Sequence, residues 1–288
     1  MDFYIVDAFS KKPFGGNAAG VVLYENLSPE MMQKLAAELK FSETAFIKRL
    51  NASTYSIRFF TPTNEIDLCG HATLASFIAL KQGGHITGNG TYLMKTEKDM
   101  LPISVLDDFI MMEQASPIIR ETLSPTETEL LANIFNIPVN EIGDITYNLV
   151  PQVASTGVFD IMLPVKSKEV LENLNIDFSK LAEFSKDKNV IGVHAFTLDC
   201  DGHTACCRNF APLYGIDEEP ATGTSNGALT FYLYMNKVIK DLNVSYTFLQ
   251  GEKMGRPSVI VSQLCGEDKI KVLIGGSCCV LSKGRLNL

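Results

Sequence analysis

Two stretches of this chain are apolar on nearly every side if they are helical, and nothing else restricts its fold as much. Residues 72–80 contain only Thr73 and Ser76 as polar side chains. Residues 228–235 are broken only by Thr230 and the hydroxyls of Tyr232 and Tyr234. A surface helix shows one apolar stripe, so a helix with no polar face has to be wrapped by other elements. Around both stretches lie short runs rich in β-branched and aromatic residues, at 4–6, 20–23, 44–47 and 55–59, then at 159–162, 193–197 and 258–261. Such runs read as strands. The pattern predicts an α+β chain of two similar domains, each a β-barrel or strongly curved sheet around a central apolar helix.

The halves also repeat in sequence. At an offset of 150 residues, Ala45-Phe46 matches Ala195-Phe196, and Arg58-x-Phe60-x-Pro62 matches Arg208-x-Phe210-x-Pro212. In each copy an acidic loop then runs into a glycine, Gly70 or Gly223, and the apolar helix. A capped helix lies earlier in each. Ser28-Pro29-Glu30 opens one with a hydroxyl at the N-cap and proline at N1, and Asp177-Phe178-Ser179 opens the other. A period this long means duplicated domains and not a solenoid. Ser124-Pro125 begins a helix between the copies. The expected division is 1–118 and 119–288, with the last strand free to pair back onto the first domain.

Composition narrows the partners. With 25 Lys and Arg against 33 Asp and Glu, the net charge is −8, so no overall basic field for nucleic acid exists. No run reaches the ~18–20 apolar residues of a membrane helix, and the first residues read as a strand and not as a signal peptide. The seven cysteines are an odd count without a CxxC, which points to a reduced, cytoplasmic protein. The four histidines form no HxxxH or HxH pair. No GxGxxG follows a strand and no lysine sits in a phosphate loop. The expectation is an absence of both metal and cofactor.

The starts of the two apolar helices are candidate binding points. A helix leaves about four backbone N–H groups unpaired there, and its dipole favours an anion. Gly70 and Gly223 let a ligand approach the backbone, unless they serve only tight turns. Two such starts facing each other make a clamp for a carboxylate or phosphate. Glu43 shares a strand face with Phe41, Ala45 and Ile47, where an isolated carboxylate tends towards a raised pKa and suits acid/base work. The residue 150 further on is Val193, so the duplicated fold does not require a charge there. The bland alternative is a strand-end glutamate reaching solvent or an arginine. His71, at a helix start, is expected to stay neutral and to exchange a proton near pH 7, or else to be a packed or capping histidine. Glu218 and Glu219 are either dipole partners of the second helix or a second acid/base. Cys69 precedes Gly70, where thiols are often acidified; the matching slot before Gly223 is Thr222.

These features come together as a resemblance. Phe14-Gly15-Gly16-Asn17-Ala18-Ala19-Gly20-Val21 resembles the Gly-Asn-Pro-x-x-Val opening of the PhzF-like phenazine biosynthesis family. Ser42-Glu43-Thr44-Ala45-Phe46, Asp67-Leu68-Cys69-Gly70-His71-Ala72-Thr73, Glu219-Pro220-Ala221-Thr222-Gly223-Thr224 and Gly251-Glu252-Lys253-Met254-Gly255-Arg256-Pro257-Ser258 continue it in order. The resemblance implies a diaminopimelate-epimerase-like fold, a cleft between the two domains, and a homodimer. It implies cofactor-free isomerisation of a small carboxylate-bearing substrate. The founding activity acts on a dihydro-hydroxyanthranilate, along whose allylic system a glutamate moves a proton. Carried over, Glu43 is the acid/base and His71 its partner. Glu219 replaces the usual aspartate and Thr224 the usual serine as further catalytic groups. Asn17, Ser42, Cys69, Gly70, Gly223 and Ser225 become substrate-binding. The related epimerases use two cysteines, and Thr222 in the second slot disfavours that mechanism. A cofactor-independent epimerase or racemase and a non-catalytic binding protein of the same fold are the alternatives.

Overall fold

Both apolar stretches are helices enclosed by strands in a computed structural model that describes residues 1–266 and 268–287. The first half holds β1 (Asp2–Ala8), β2 (Asn17–Leu23), α1 (Pro29–Leu39), β3 (Thr44–Arg49), β4 (Thr54–Phe60), β5 (Glu65–Ile66), α2 (Gly70–Gln82), β6 (Gly90–Lys95), β7 (Met100–Leu106) and β8 (Phe109–Glu113). The next elements are β9 (Ile118–Thr122), α3 (Pro125–Ile134), β10 (Gln152–Ser155), β11 (Phe159–Pro164), α4 (Lys168–Glu172), α5 (Phe178–Lys188) and β12 (Gly192–Thr197). The chain ends with β13 (Ala205–Ala211), β14 (Ile216–Glu219), α6 (Gly223–Met235), β15 (Ser245–Gln250), β16 (Ser258–Cys265) and β17 (Lys271–Arg285).

Contacts divide the chain into two units. Unit 1 is Met1–Glu113 with Gly275–Leu288, and unit 2 is Gln114–Ile274. The expected linear division at 118/119 differs from this at the C-terminus. From Gly275 onward β17 belongs to unit 1, where it runs antiparallel to β1 from Ala8 opposite Cys278 to Asp2 opposite Arg285.

In unit 1 the pairings β1–β2–β3–β4–β6–β7–β8–β17–β1 form a closed circuit. Closure removes the exposed edges that an open sheet has to protect. Parallel pairs at β2–β3 and β4–β6 are bridged by α1 and α2. Unit 2 repeats the scheme as β10–β11–β12–β13–β15–β16, with parallel pairs at β11–β12 and β13–β15 and short β14 on β13, as β5 lies on β4. This is the two-unit, curved-sheet α+β architecture of the epimerase-like folds.

The ladders correct one detail of the repeat. Phe60 faces Thr44 and Arg58 faces Phe46, whereas Phe210 faces Val193 and Arg208 faces Ala195. Val193 is therefore the counterpart of Thr44, and Glu43 corresponds to Gly192. A Cβ on Gly192 would sit 1.9 Å from the Phe210 carbonyl oxygen. The second copy excludes any side chain at this point.

Each central helix is core on every side. All ten residues from His71 to Leu80 are buried. Full burial of a large apolar side chain contributes roughly 1.5–3 kcal/mol, and Phe77, stacked edge-on against Tyr55, belongs to this set. Thr73 and Ser76 are tolerated because each hydroxyl donates to the carbonyl four residues back, at 2.7 Å in both cases. The outer helices start as their caps dictate. Ser28 and Asp177 accept from the N–H groups of Met31 and Lys180, and Ser124 forms a full capping box with Glu127.

The repeated arginine does the same task twice. Arg58 grips Glu65 with two hydrogen bonds of 2.6 Å, and Arg208 grips Glu218 at 2.9 and 2.8 Å. Each guanidinium also lies over a phenylalanine, Phe60 or Phe210. Each glutamate sits on the short strand that leads into the central helix. The clamp thereby fixes the approach to both helix starts.

Not all cysteines are free thiols, contrary to expectation. Cys200 and Cys206 form a disulfide across the β12–β13 hairpin, with Cα atoms 5.4 Å apart. Among the described residues, no helix is long and apolar enough to cross a membrane.

Candidate active site

The chemistry of unit 1 gathers at the N-terminal end of α2. Cys69 is its N-cap with extended backbone and no side-chain cap bond, and a Cβ built on Gly70 would meet no heavy atom within 4 Å. His71 follows in the first turn and is 4% exposed. Its Nε2 lies 3.3 Å from Glu43 Oε2. The two are in contact without a linear hydrogen bond, and Oε2 is itself buried. Glu43 stands one residue before β3, not inside it, and is anchored by its carbonyl, which accepts from Gly20 N–H at 3.3 Å.

The other imidazole nitrogen faces Asn17. Asn17 is 4% exposed at the start of β2, and its Nδ2 is 3.3 Å from His71 Nδ1. Cys69 Sγ approaches the same Nδ1 at 3.4 Å. With Asn17 donating, Nδ1 is the acceptor and the ring proton is placed on Nε2, towards Glu43. Burial depresses the pKa of His71, and the charge of Glu43 only partly opposes this. Burial thus keeps the ring neutral. Ser42 is exposed beside the site.

Glu43, Cys69 and His71 each offer a donor atom, all within 4.8 Å of one another. An ion takes one nitrogen of a histidine, but Cys69 approaches Nδ1 and Glu43 approaches Nε2. The set fits a hydrogen-bonded acid/base group better than a metal centre. A cavity of about 840 Å³ in unit 1 is lined by Leu80 and His85 at the far end of α2 and includes none of these residues. The titratable groups converge instead at the helix start.

Unit 2 carries the remaining sequence-derived residues around the start of α6. Thr222 is the N-cap, also without a side-chain cap bond, and stands where Cys69 stands in unit 1. Its hydroxyl instead donates to Glu219 Oε2 at 2.7 Å. Gly223 is buried, and Thr224 is half-buried with its carbonyl accepting from Thr156. Ser225 is 1% exposed, and its hydroxyl is committed inward: it donates to Asp160 Oδ2 at 2.5 Å and accepts from Asn209 Nδ2 at 3.1 Å. Only its backbone N–H is left to a ligand.

Sequence reasoning missed the interior beneath Ser225. Asn209 Nδ2 also lies 3.2 Å from His194 Nδ1. Asp160 and His194 are buried, and burial pushes the carboxyl up to about 6 and the imidazole down to about 4. These residues come from separate strands and share no motif, so no spacing signal marks them.

Comparison with known proteins finds matches over almost the whole chain. A family model described as phenazine biosynthesis-like protein, PhzC-PhzF, matches residues 6–284. A Clostridium acetobutylicum protein named as an uncharacterized isomerase is 34% identical over all of this chain and 98% of its own. The Bacillus anthracis phenazine biosynthesis protein of the PhzF family superposes with a TM-score of 0.90 at 25% identity, covering 100% of this chain and 99% of that one. A hydroxyproline epimerase from Agrobacterium vitis shares the fold alone, with a TM-score of 0.64 at 12% identity over 99% of this chain and 90% of its own. The uncapped helix starts, the Glu43–His71 contact and the whole-length match lead to one conclusion: the chain belongs to the phenazine biosynthesis-like PhzF family, whose relatives include proteins named as isomerases.

Proposed function

We propose that this protein is a cofactor-independent isomerase that moves a proton along an unsaturated, carboxylate-bearing small molecule, with Glu43 as the single acid/base. The Glu43–His71 contact at 3.3 Å carries the reading. The Glu43 carboxylate takes a proton from one carbon of the allylic system and, after exchange with solvent, delivers one to another, so the step is redox-neutral and balanced. The neutral imidazole, its Nδ1 held by Asn17, keeps its Nε2 in contact with the carboxylate, where a small turn of either group brings the two into hydrogen-bond line between the transfers. The uncapped first turn of α2 offers backbone N–H groups to the substrate carboxylate. Glu219 and Thr224 belong to the same reaction by their places in the family motif, where they replace its usual aspartate and serine, and a homodimer is part of this reading. A two-thiol epimerase has less support, because the N-cap of α6 is Thr222 where that of α2 is Cys69.

The test is solvent-deuterium incorporation into the family's dihydro-hydroxyanthranilate, and into small cyclic carboxylates that raise the unfolding temperature, followed by NMR. Exchange that disappears in Glu43→Gln supports the proposal. Exchange that survives in Glu43→Gln refutes it.

A further inference from the structure

The motif Gly251-Glu252-Lys253-Met254-Gly255-Arg256-Pro257-Ser258 has no part in the proton transfer just described. In unit 2 it is a tight turn, with a short 3-10 segment at Glu252–Met254 and Arg256 N–H donating to the Gly251 carbonyl at 3.0 Å. Gly251 has φ +80°, and a Cβ on it would lie 2.4 Å from the Arg256 carbonyl oxygen and 2.6 Å from that of Pro220. Only glycine fits. Ser258 is fully buried, with its hydroxyl 2.8 Å from the Pro220 carbonyl and 2.9 Å from that of Arg256. The turn is thus fastened to the residue that follows Glu219.

Gln250 enters the turn and is 1% exposed. Its Nε2 donates to the Glu219 carbonyl at 2.7 Å and to Thr222 Oγ1 at 3.1 Å. Its Oε1 accepts from Asn226 Nδ2 at 2.8 Å and from Thr222 N–H at 3.3 Å. A primary amide has two donors and two acceptor sites, and all four are engaged. Because Gln250 donates to the Thr222 hydroxyl, that hydroxyl has its own proton to give, and it gives it to Glu219 Oε2. A glutamate at 250 would lack both donors and add a charge beside Glu219. A burial this complete with every polar atom matched is costly to disturb.

We propose that Gln250 and the 251–258 turn are the positioning device for Glu219: the turn holds Pro220, and Gln250 orients Thr222, which fixes the carboxylate. Gln250 is a positioning residue and not a catalytic one. The inference rests on the reading of Glu219 as part of the proton-transfer site.

The test uses the full chain with Gln250→Met, which removes every polar contact, and Gln250→Glu, which keeps shape and both acceptor bonds if the first variant does not fold. In crystal structures of the variants, the Glu219 carboxylate is expected to leave Thr222. In deuterium exchange into dihydro-hydroxyanthranilate, kcat is expected to fall roughly 10²-fold, the scale of a small misplacement, with a smaller change in KM. In a Glu219→Gln background the same substitution should cost little more, because the two act as one unit. A Glu219 carboxylate still on Thr222 in the variants overturns the proposal. So does an undiminished loss of kcat in the Glu219→Gln background, which is what a merely structural role gives. If the parent protein exchanges no deuterium, the functional reading falls, and the crystallographic result alone decides the positioning.

Discussion

Glu43 Oε2 and His71 Nε2 meet at 3.3 Å, while the opposite nitrogen of the same imidazole is held by Asn17 at 3.3 Å. With Asn17 donating, the ring is oriented from one side and carries its proton on Nε2, in contact with the carboxylate but without a linear hydrogen bond. A carboxylate facing such a proton can accept and release its own without a charged partner competing for it.

Glu43→Gln should fold normally. The equivalent point in unit 2 is Gly192, so the architecture needs no carboxylate there, and glutamine keeps most of the packing. It cannot take up and return a proton. General acid/base catalysis is typically worth ~10²–10⁴ in rate, and exchange turnover should drop by at least about that factor at similar unfolding temperature. Parent-like turnover would remove Glu43 from the mechanism.

His71 should be neutral at pH 6.5, the ordinary midpoint of a histidine. Burial lowers its pKa and Glu43 raises it by a smaller amount. Glu43→Gln removes the opposing charge and should move the titration further down. Imidazole ¹⁵N shifts followed against pH would read both effects. An upward movement in Glu43→Gln would show that the carboxylate does not act on this ring.

Cys69→Ser should retain activity within about tenfold. The thiol lies 3.4 Å from His71 Nδ1, a nitrogen that Asn17 already serves, and a hydroxyl can replace a weak S–H contact. A loss as large as that of Glu43→Gln would return a thiol-based epimerase to consideration.

Much of this was legible in the chain, and the exceptions have physical reasons. The central helices declared themselves because runs of buried positions, ten in α2 and six in α6, leave no room for a polar face. The Arg-x-Phe-x-Pro repeat was visible as letters, but its glutamate partners were not: Glu218 reads from the sequence as a dipole partner or an acid/base, and the structure commits it to Arg208. The letters put the unit 2 counterpart of Glu43 one residue off, at Val193, because two matching letters cannot reveal a one-residue slip between β3 and β12. A side-chain period of two makes that slip a change of face. The Gln250 network was invisible for another reason. Its members lie up to 31 residues apart on a strand, a loop and a helix, and only folding brings them together. The Cys200–Cys206 pair likewise depends on a hairpin that folds the two sulfurs into reach.

Asp160 and His194 should give opposite pH profiles of stability. Burial raises Asp160 from 3.8 to about 6, so between those values the folded protein holds the extra proton and stability falls as pH rises. Burial lowers His194 from 6.5 to about 4, so there the unfolded chain holds the extra proton and stability is lost as pH falls. In the parent the two oppose each other between about pH 4 and 6. Asp160→Asn should expose the histidine's acid loss, and His194→Gln the aspartate's loss towards neutral pH. Thermal unfolding at pH 4, 5, 6 and 7 separates them; parallel profiles in all three proteins would count against both assignments.

The two arginine clamps offer a comparison within one molecule. Their geometry is nearly the same, but Arg208 and Glu218 have side chains only 9% and 14% exposed, against 30% and 33% for Arg58 and Glu65. Water screens Arg58–Glu65, and removing one partner of an exposed ion pair costs at most about 1 kcal/mol. Arg208 is committed further, because its Nη1 donates to the Leu171 and Leu174 carbonyls at 3.0 and 3.4 Å. Glu218→Gln leaves a buried guanidinium without its counter-charge, a change that costs about 3–5 kcal/mol. At roughly 2–4 °C per kcal/mol for units of this size, Glu218→Gln should lower the unfolding temperature by about 6–20 °C, and Glu65→Gln by no more than about 4 °C. Thermal scans of the two variants under one buffer make the comparison. Equal shifts would mean that burial does not set the worth of the clamp, and that the two copies of the fold are held at their helix starts by something other than these pairs.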